Sequence, residues 1–177
     1  MDGHQRRHRR RQDSISLTQG GTVTNSAGAR INAGLSGITL STFNTGGAGT
    51  VDNFGTITAT VEGVTLLNGG TVTNEQTGTI STSGSGQNAV SVGQGSSRTV
   101  TNRGAIHADS TSGFSTGVLV QGGPASINNS ATGVISGGYN GIYASASSPL
   151  TLNNAGMIRS MRGRRHRGSW RRWKLHQ

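Results

Sequence analysis

One four-residue phrase returns six times along this chain, and its spacing constrains the fold more than any other feature. It reads Thr22-Val23-Thr24-Asn25, Thr50-Val51-Asp52-Asn53, Thr71-Val72-Thr73-Asn74, Thr99-Val100-Thr101-Asn102, Ser126-Ile127-Asn128-Asn129 and Thr151-Leu152-Asn153-Asn154. The closing asparagines are 28, 21, 28, 27 and 25 residues apart, a unit of about 26 residues. A period of that size marks a solenoid, in which each unit is one supersecondary element that cannot bury its apolar face alone.

Two further phrases share the period. After each asparagine come a glycine and an isoleucine: Gly28/Ile31, Gly55/Ile57, Gly78/Ile80, Gly104/Ile106, Gly133/Ile135 and Gly156/Ile158. Alternating apolar pairs then close the units at Ile38/Leu40, Val64/Leu66, Val90/Val92, Val118/Val120 and Ile142/Ala144, with Ile15/Leu17 as the same phrase at the front. Alternation at period two sends these side chains to one face of a strand. Nothing in a unit has helical spacing. Asn and Gly tolerate left-handed backbone and so mark a corner between the first two strands. Pro124 and Pro149 fall in the joints between units, where no ladder hydrogen bond is needed.

The expected fold is all-β: a right-handed parallel β-helix of about six coils, three short strands to a coil, spanning 13–160 between disordered basic ends. Val23, Val51, Val72, Val100, Ile127 and Leu152 form one inward ladder, and Ile31, Ile57, Ile80, Ile106, Ile135 and Ile158 a second. Coils ~4.8 Å apart make a rod roughly 29 Å long. Asn25, Asn53, Asn74, Asn102, Asn129 and Asn154 are expected to stack at one corner and exchange amide hydrogen bonds. Length variation falls after the second and third strands, so segments such as Ser83–Gln87 and Ser110–Phe114 are read as loops on one side of the rod.

Composition agrees with thin strands and not with a conventional globular core. Glycine numbers 30 in 177 residues and aromatic residues are 4%, so large rings cannot fill the interior. Cysteine is absent, which excludes disulfides and thiolate metal sites. No run of about 18 apolar residues is present to form a membrane-spanning helix, and no apolar stretch follows the basic N-terminus as an export signal would require.

The formal charge of +10 is unevenly distributed. Residues 1–12 hold five arginines against Asp2, and residues 159–177 hold seven arginines and Lys174 with no acid. Between them, Arg30, Arg98 and Arg103 face Asp13, Asp52, Glu62, Glu75 and Asp109. A slightly acidic body thus carries two strongly basic ends.

Phrases of the form T-V-x-N-x-G-x-I followed by G-V-x-L, as in Thr50–Ile57 with Gly63–Leu66 and Thr99–Ile106 with Gly117–Val120, resemble bacterial autotransporter passenger domains. The resemblance covers roughly residues 13–160. It implies display at the cell surface, on the outer membrane or outside the cell, with no catalytic residues to carry over. Full-length members of that family have an N-terminal export signal and a C-terminal outer-membrane barrel, so this chain reads as a passenger fragment.

Chemistry-bearing constellations are sparse. Carbohydrate-cleaving β-helices need clustered carboxylates, but no two acids occupy equivalent positions in successive units. The doublets Gly20-Gly21, Gly46-Gly47, Gly69-Gly70 and Gly122-Gly123 lack the aspartate of calcium-binding nonapeptides and read as turns. His107 follows inward Ile106 and so points outward, alone. Neither a cofactor nor a metal is expected, and no enzymatic activity.

The expected function is therefore a non-enzymatic surface-display or stalk-like solenoid, adhesin-like, meeting a cell-surface or matrix ligand through its loops. The rival is a solenoid attaching to nucleic acid, lipopolysaccharide or anionic membrane through Arg162, Arg164, Arg165, Arg167, Arg171, Arg172 and Lys174, with Trp170 and Trp173 interleaved. Weak polyanion binding by the tails and end-to-end association of uncapped coils are the other expected contacts. Because composition shifts abruptly at both ends, the tails are also read as out-of-frame translation around a passenger fragment. Sequencing the locus tests this, and it fails if no other frame restores repeat units beyond residue 160.

Overall fold

The computed structural model describes residues 13–40, 47–95, 98–110, 113–145 and 147–161. The basic ends, with all seven cationic residues named for polyanion binding and both tryptophans, lie outside the described residues, as do Gly46 and residues 111–112 of the second loop.

Eighteen strands form three parallel sheets of six, three strands to a turn, with no helix among the described residues. Sheet I holds β1 (Ile15–Leu17), β4 (Ile38–Leu40), β7 (Val64–Leu66), β10 (Asn88–Val92), β13 (Thr116–Val120) and β16 (Asn140–Ala144). Sheet II holds β2 (Gly21–Asn25), β5 (Gly49–Asn53), β8 (Gly70–Asn74), β11 (Arg98–Asn102), β14 (Ala125–Asn129) and β17 (Leu150–Asn154). Sheet III holds β3 (Arg30–Ala33), β6 (Thr56–Ala59), β9 (Thr79–Thr82), β12 (Ala105–Ala108), β15 (Val134–Gly137) and β18 (Met157–Ser160). From β1 to β16 the chain completes five turns of a β-solenoid.

Register follows the repeated phrases residue by residue. Val51 pairs with Val72, Val72 with Val100 and Val100 with Ile127, and Ile57, Ile80, Ile106 and Ile135 align in the same way. A one-residue slip would turn every inward side chain to solvent, so the apolar pattern fixes this pairing. Interior members of the ladders are fully buried, each contributing about 1.5–3 kcal/mol. Of the four end members Val23 is still buried and the other three are not. Leu152 keeps the register of Ile127 but is 44% exposed, and Ile31 and Ile158 are only half-buried, because no described coil covers them.

The coils alternate between two kinds, a regularity that a single 26-residue unit obscures. The corners between sheets II and III, at 26–29, 54–55, 75–78, 103–104, 130–133 and 155–156, run four, two, four, two, four and two residues. The strand leading into each four-residue corner begins at or just after a glycine pair with positive φ: Gly20/Gly21, Gly69/Gly70 and Gly122/Gly123. The repeating unit of structure is thus two coils, one entered through a tight glycine turn and the other through a longer connection.

Register also corrects one equivalence. Arg30 pairs with Thr56, which places Ala29, and not Gly28, opposite Gly55. The true corner column is Ala29, Gly55, Gly78, Gly104, Gly133 and Gly156.

Candidate functional site

The six asparagines that close the strands of sheet II form one continuous chain of side-chain amides. Asn25 Nδ2 donates to Asn53 Oδ1 at 2.7 Å, Asn53 to Asn74 at 2.8 Å, Asn74 to Asn102 at 2.9 Å, Asn102 to Asn129 at 2.8 Å and Asn129 to Asn154 at 2.8 Å. The second amide hydrogen reaches a corner carbonyl of the following coil: Thr56, Thr79, Ala105, Val134 or Met157. Asn25 to Asn129 are at most 4% exposed. Buried amides are tolerated only when satisfied, and here each satisfies its neighbour and the corner backbone. The ladder locks coil to coil and leaves its interior no amide free for a ligand.

Arg98, which the sequence presents as one more body charge, is 4% exposed. Its guanidinium donates to the carbonyls of Gly95 at 2.9 Å, Gln121 at 2.8 Å and Gly122 at 2.8 Å, tying one inter-coil connection to the next. Nε has no partner, and burial lowers the pKa from its ordinary value. Gly123 has a φ of 127°, a backbone that favours glycine, and a Cβ there would lie 2.2 Å from Arg98 Nη2, so the end of the arginine would have to shift. A lone arginine in a serine-rich connection carries no signal of burial; only the adjoining glycine pair 122–123 hints at a group needing room.

The acids are dispersed into separate local bonds. Asp13 accepts from the Ser36 amide at 3.1 Å and from Thr39 Oγ1 at 3.3 Å. Glu62 accepts from Thr65 Oγ1 and, at 3.3 Å, from Asn88 Nδ2. Glu75 meets Arg103 at 3.2 Å in an exposed pair of small energetic weight. His107 Nδ1 lies 2.8 Å from Ser136 Oγ, one coil on. Among the described residues no three His, Cys, Asp or Glu side chains gather where they would hold a metal ion.

What remains for recognition is surface. Sheet II turns two columns outward, Thr22, Thr50, Thr71, Thr99, Ser126, Thr151 and Thr24, Asp52, Thr73, Thr101, Asn128, Asn153, uncharged except at Asp52. A shallow groove at the C-terminal end of that sheet is lined by Thr101, Arg103, Asn128, Leu152 and Asn153. On the edge between sheets III and I, Phe114 (68% exposed) meets Tyr139 (43% exposed) edge to face, with ring centroids 4.8 Å apart. Comparison with protein families, with characterised proteins and with solved structures finds no match.

Proposed function

We propose that this β-solenoid is a non-enzymatic display rod, an adhesin-like passenger of the autotransporter type that works at the cell surface. The observation carrying this reading is the placement of aromatic side chains. Phe54, Phe114, Tyr139 and Tyr143, the four aromatics among the described residues, are all 40% exposed or more, while the core is built of Val, Ile, Leu and Ala. Exposed rings serve contact rather than folding, and rings paired on loops over a rigid scaffold are a common design for a binding surface. The repeat phrases that resemble passenger domains support the class and the location.

Attachment to polyanions through the basic tails is the second reading. It rests on the charge of residues 162–174 in the sequence, whereas the outward columns of sheet II are nearly neutral and offer a polyanion little.

Display tests the first reading. The chain is placed between an export signal and an outer-membrane barrel, and cells carrying it are scored for adhesion to collagen- and fibronectin-coated surfaces and to epithelial cells. Adhesion above that of cells bearing the barrel alone, lost in Phe114→Ala/Tyr139→Ala, is the expected result. Surface display without adhesion to any of them counts against it. Tight binding of heparin or duplex DNA by the untethered chain, abolished by removing residues 162–177, favours the second.

A further inference from the structure

The two ends of the amide ladder differ, and the difference determines what can stack on the rod. At the C-terminal end Asn154 accepts from Asn129, and its own Nδ2 donates to no described residue. At the N-terminal end Asn25 gives its amide hydrogens to Asn53 and Thr56, and its Oδ1 accepts from no described residue. A donor at one end and an acceptor at the other, neither with a described partner, repeat the pattern that joins successive coils inside the rod. Corner length agrees, because the last corner has two residues and the first has four, so a copy placed head to tail would continue the alternation. Exposed Leu152 and Met157 at the C-terminal face add apolar area to bury there.

The corner column decides against that copy. At every corner that rests on a preceding coil the residue is glycine, and a Cβ would meet preceding-coil backbone: Ala29 O at 2.3 Å from Gly55, Asn53 O at 2.3 Å from Gly78, Gly78 O at 2.2 Å from Gly104, Asn102 O at 2.6 Å from Gly133 and Ser130 O at 2.2 Å from Gly156. The exception is Ala29, in the first corner, which has no described coil beneath it. The neighbouring position changes with it. Thr77 and Thr132 each bond back to the preceding corner, at Phe54 O and Arg103 O, both at 2.7 Å. Their counterpart is Gly28, with nothing within 4 Å of a Cβ built there. Both interlocking residues are thus lost together at the one corner with no described coil to interlock.

We propose that the C-terminal face of the rod is a docking surface for one more solenoid coil, and that the N-terminal face is closed to such docking by the Ala29 methyl group. The partner that fits is a coil presenting an asparagine carbonyl and a glycine at the corner. A second copy of this chain supplies the asparagine but not the glycine, so wild-type rods do not join head to tail in register. The inference rests on coil geometry and is independent of the display function.

Ala29→Gly turns the chain into its own probe. Sedimentation velocity of the full chain over a range of concentrations is expected to show no in-register growth for wild type or Ala29→Ser, and linear oligomers for Ala29→Gly. Asn154→Asp, which keeps the acceptor for Asn129 and removes the donor, is expected to abolish the oligomers in the Ala29→Gly background. Mixing labelled wild type with unlabelled Ala29→Gly is expected to shift the wild-type boundary, because no described coil covers the wild-type C-terminal face. Circular dichroism confirms that each variant is folded. Equal association of wild type and Ala29→Gly overturns the proposal, as does a folded Ala29→Gly that associates no more than wild type. Gly55→Ala tests the steric premise separately: an unchanged melting temperature would also overturn it.

Discussion

Asn53 and Asn74, 21 residues apart in sequence, share a 2.8 Å amide hydrogen bond inside the rod, and neither is exposed to solvent. That bond is one link of a chain whose members differ only in how many coils flank them. Asn74 donates to Asn102, to Gly78 and to Ala105. Replacing it by alanine takes the acceptor from Asn53 and the donor from Asn102, at about 1–3 kcal/mol for each group left unsatisfied, while Gly78 O keeps the Ala105 amide. Asn74→Ala is therefore expected to lower the urea midpoint severely or prevent folding. Asn154→Ala, at the exposed end, is expected to cost about 1 kcal/mol or less. Similar losses at both positions would show that the ladder does not hold the coils.

Burial within one apolar column predicts a second gradient. Ile127 is fully buried and its neighbour in register, Leu152, is 44% exposed. Ile127→Ala is expected to cost about 2–5 kcal/mol, as large-to-small core changes do, and Leu152→Ala about 1 kcal/mol. Chemical denaturation of the two variants side by side checks this.

Two glycines separate the need for space from the need for an unusual backbone. At Gly104 a Cβ would lie 2.2 Å from Gly78 O, so Gly104→Ala forces two coils apart and is expected to cost about 3 kcal/mol. Gly28 has open space but a φ of +77°, so Gly28→Ala meets only left-handed strain, about 1 kcal/mol. Thermal melts giving the reverse order would contradict the corner geometry.

Arg98 holds three carbonyls from two successive inter-coil connections. Lysine brings one nitrogen in place of the planar fork and cannot reach all three acceptors. Arg98→Lys is expected to destabilise by about 1–3 kcal/mol, the cost of buried acceptors left without donors, and to raise hydrogen exchange in 93–95 and 121–123 before the rest of the rod. Uniform exchange across all coils would rule out a local clasp.

The sequence makes the interior legible because stacking demands repetition. Val23 to Leu152 and Ile31 to Ile158 had to recur once per coil, and recurrence at fixed offsets from an asparagine identifies strand, inward face and corner together. The two-coil alternation shows only in the first asparagine spacings, 28, 21 and 28; the long connection 109–115 then lengthens the fourth interval and the short connection 138–139 shortens the fifth, so the pattern is lost. Residue type alone aligns Gly28 with Gly55, whereas the contact that demands glycine exists only where one coil rests on another; at Ala29, in the first corner, no described coil makes it. Arg98 gives no sign of burial because its partners are backbone carbonyls, which every residue possesses. The exposed aromatic surface on which the proposed function rests is the least legible part. Phe114 and Tyr139 are 25 residues apart and fall outside the repeated phrases, so only the folded coil brings them together.

Cross-linking between coils tests the central claim most directly, since the chain has no cysteine of its own. Thr71 and Thr99 are paired in register on the outward face of sheet II, 28 residues apart in sequence. Adjacent strands ~4.8 Å apart lie within disulfide reach, while moving one partner two residues along the strand adds about 6.6 Å and puts the pair beyond it. The account predicts that Thr71→Cys/Thr99→Cys oxidises to an intrachain disulfide under native conditions and that Thr71→Cys/Thr101→Cys does not. Equal yields from the two pairs, or a higher yield from the second, would contradict the stacked, in-register coils on which the whole reading depends.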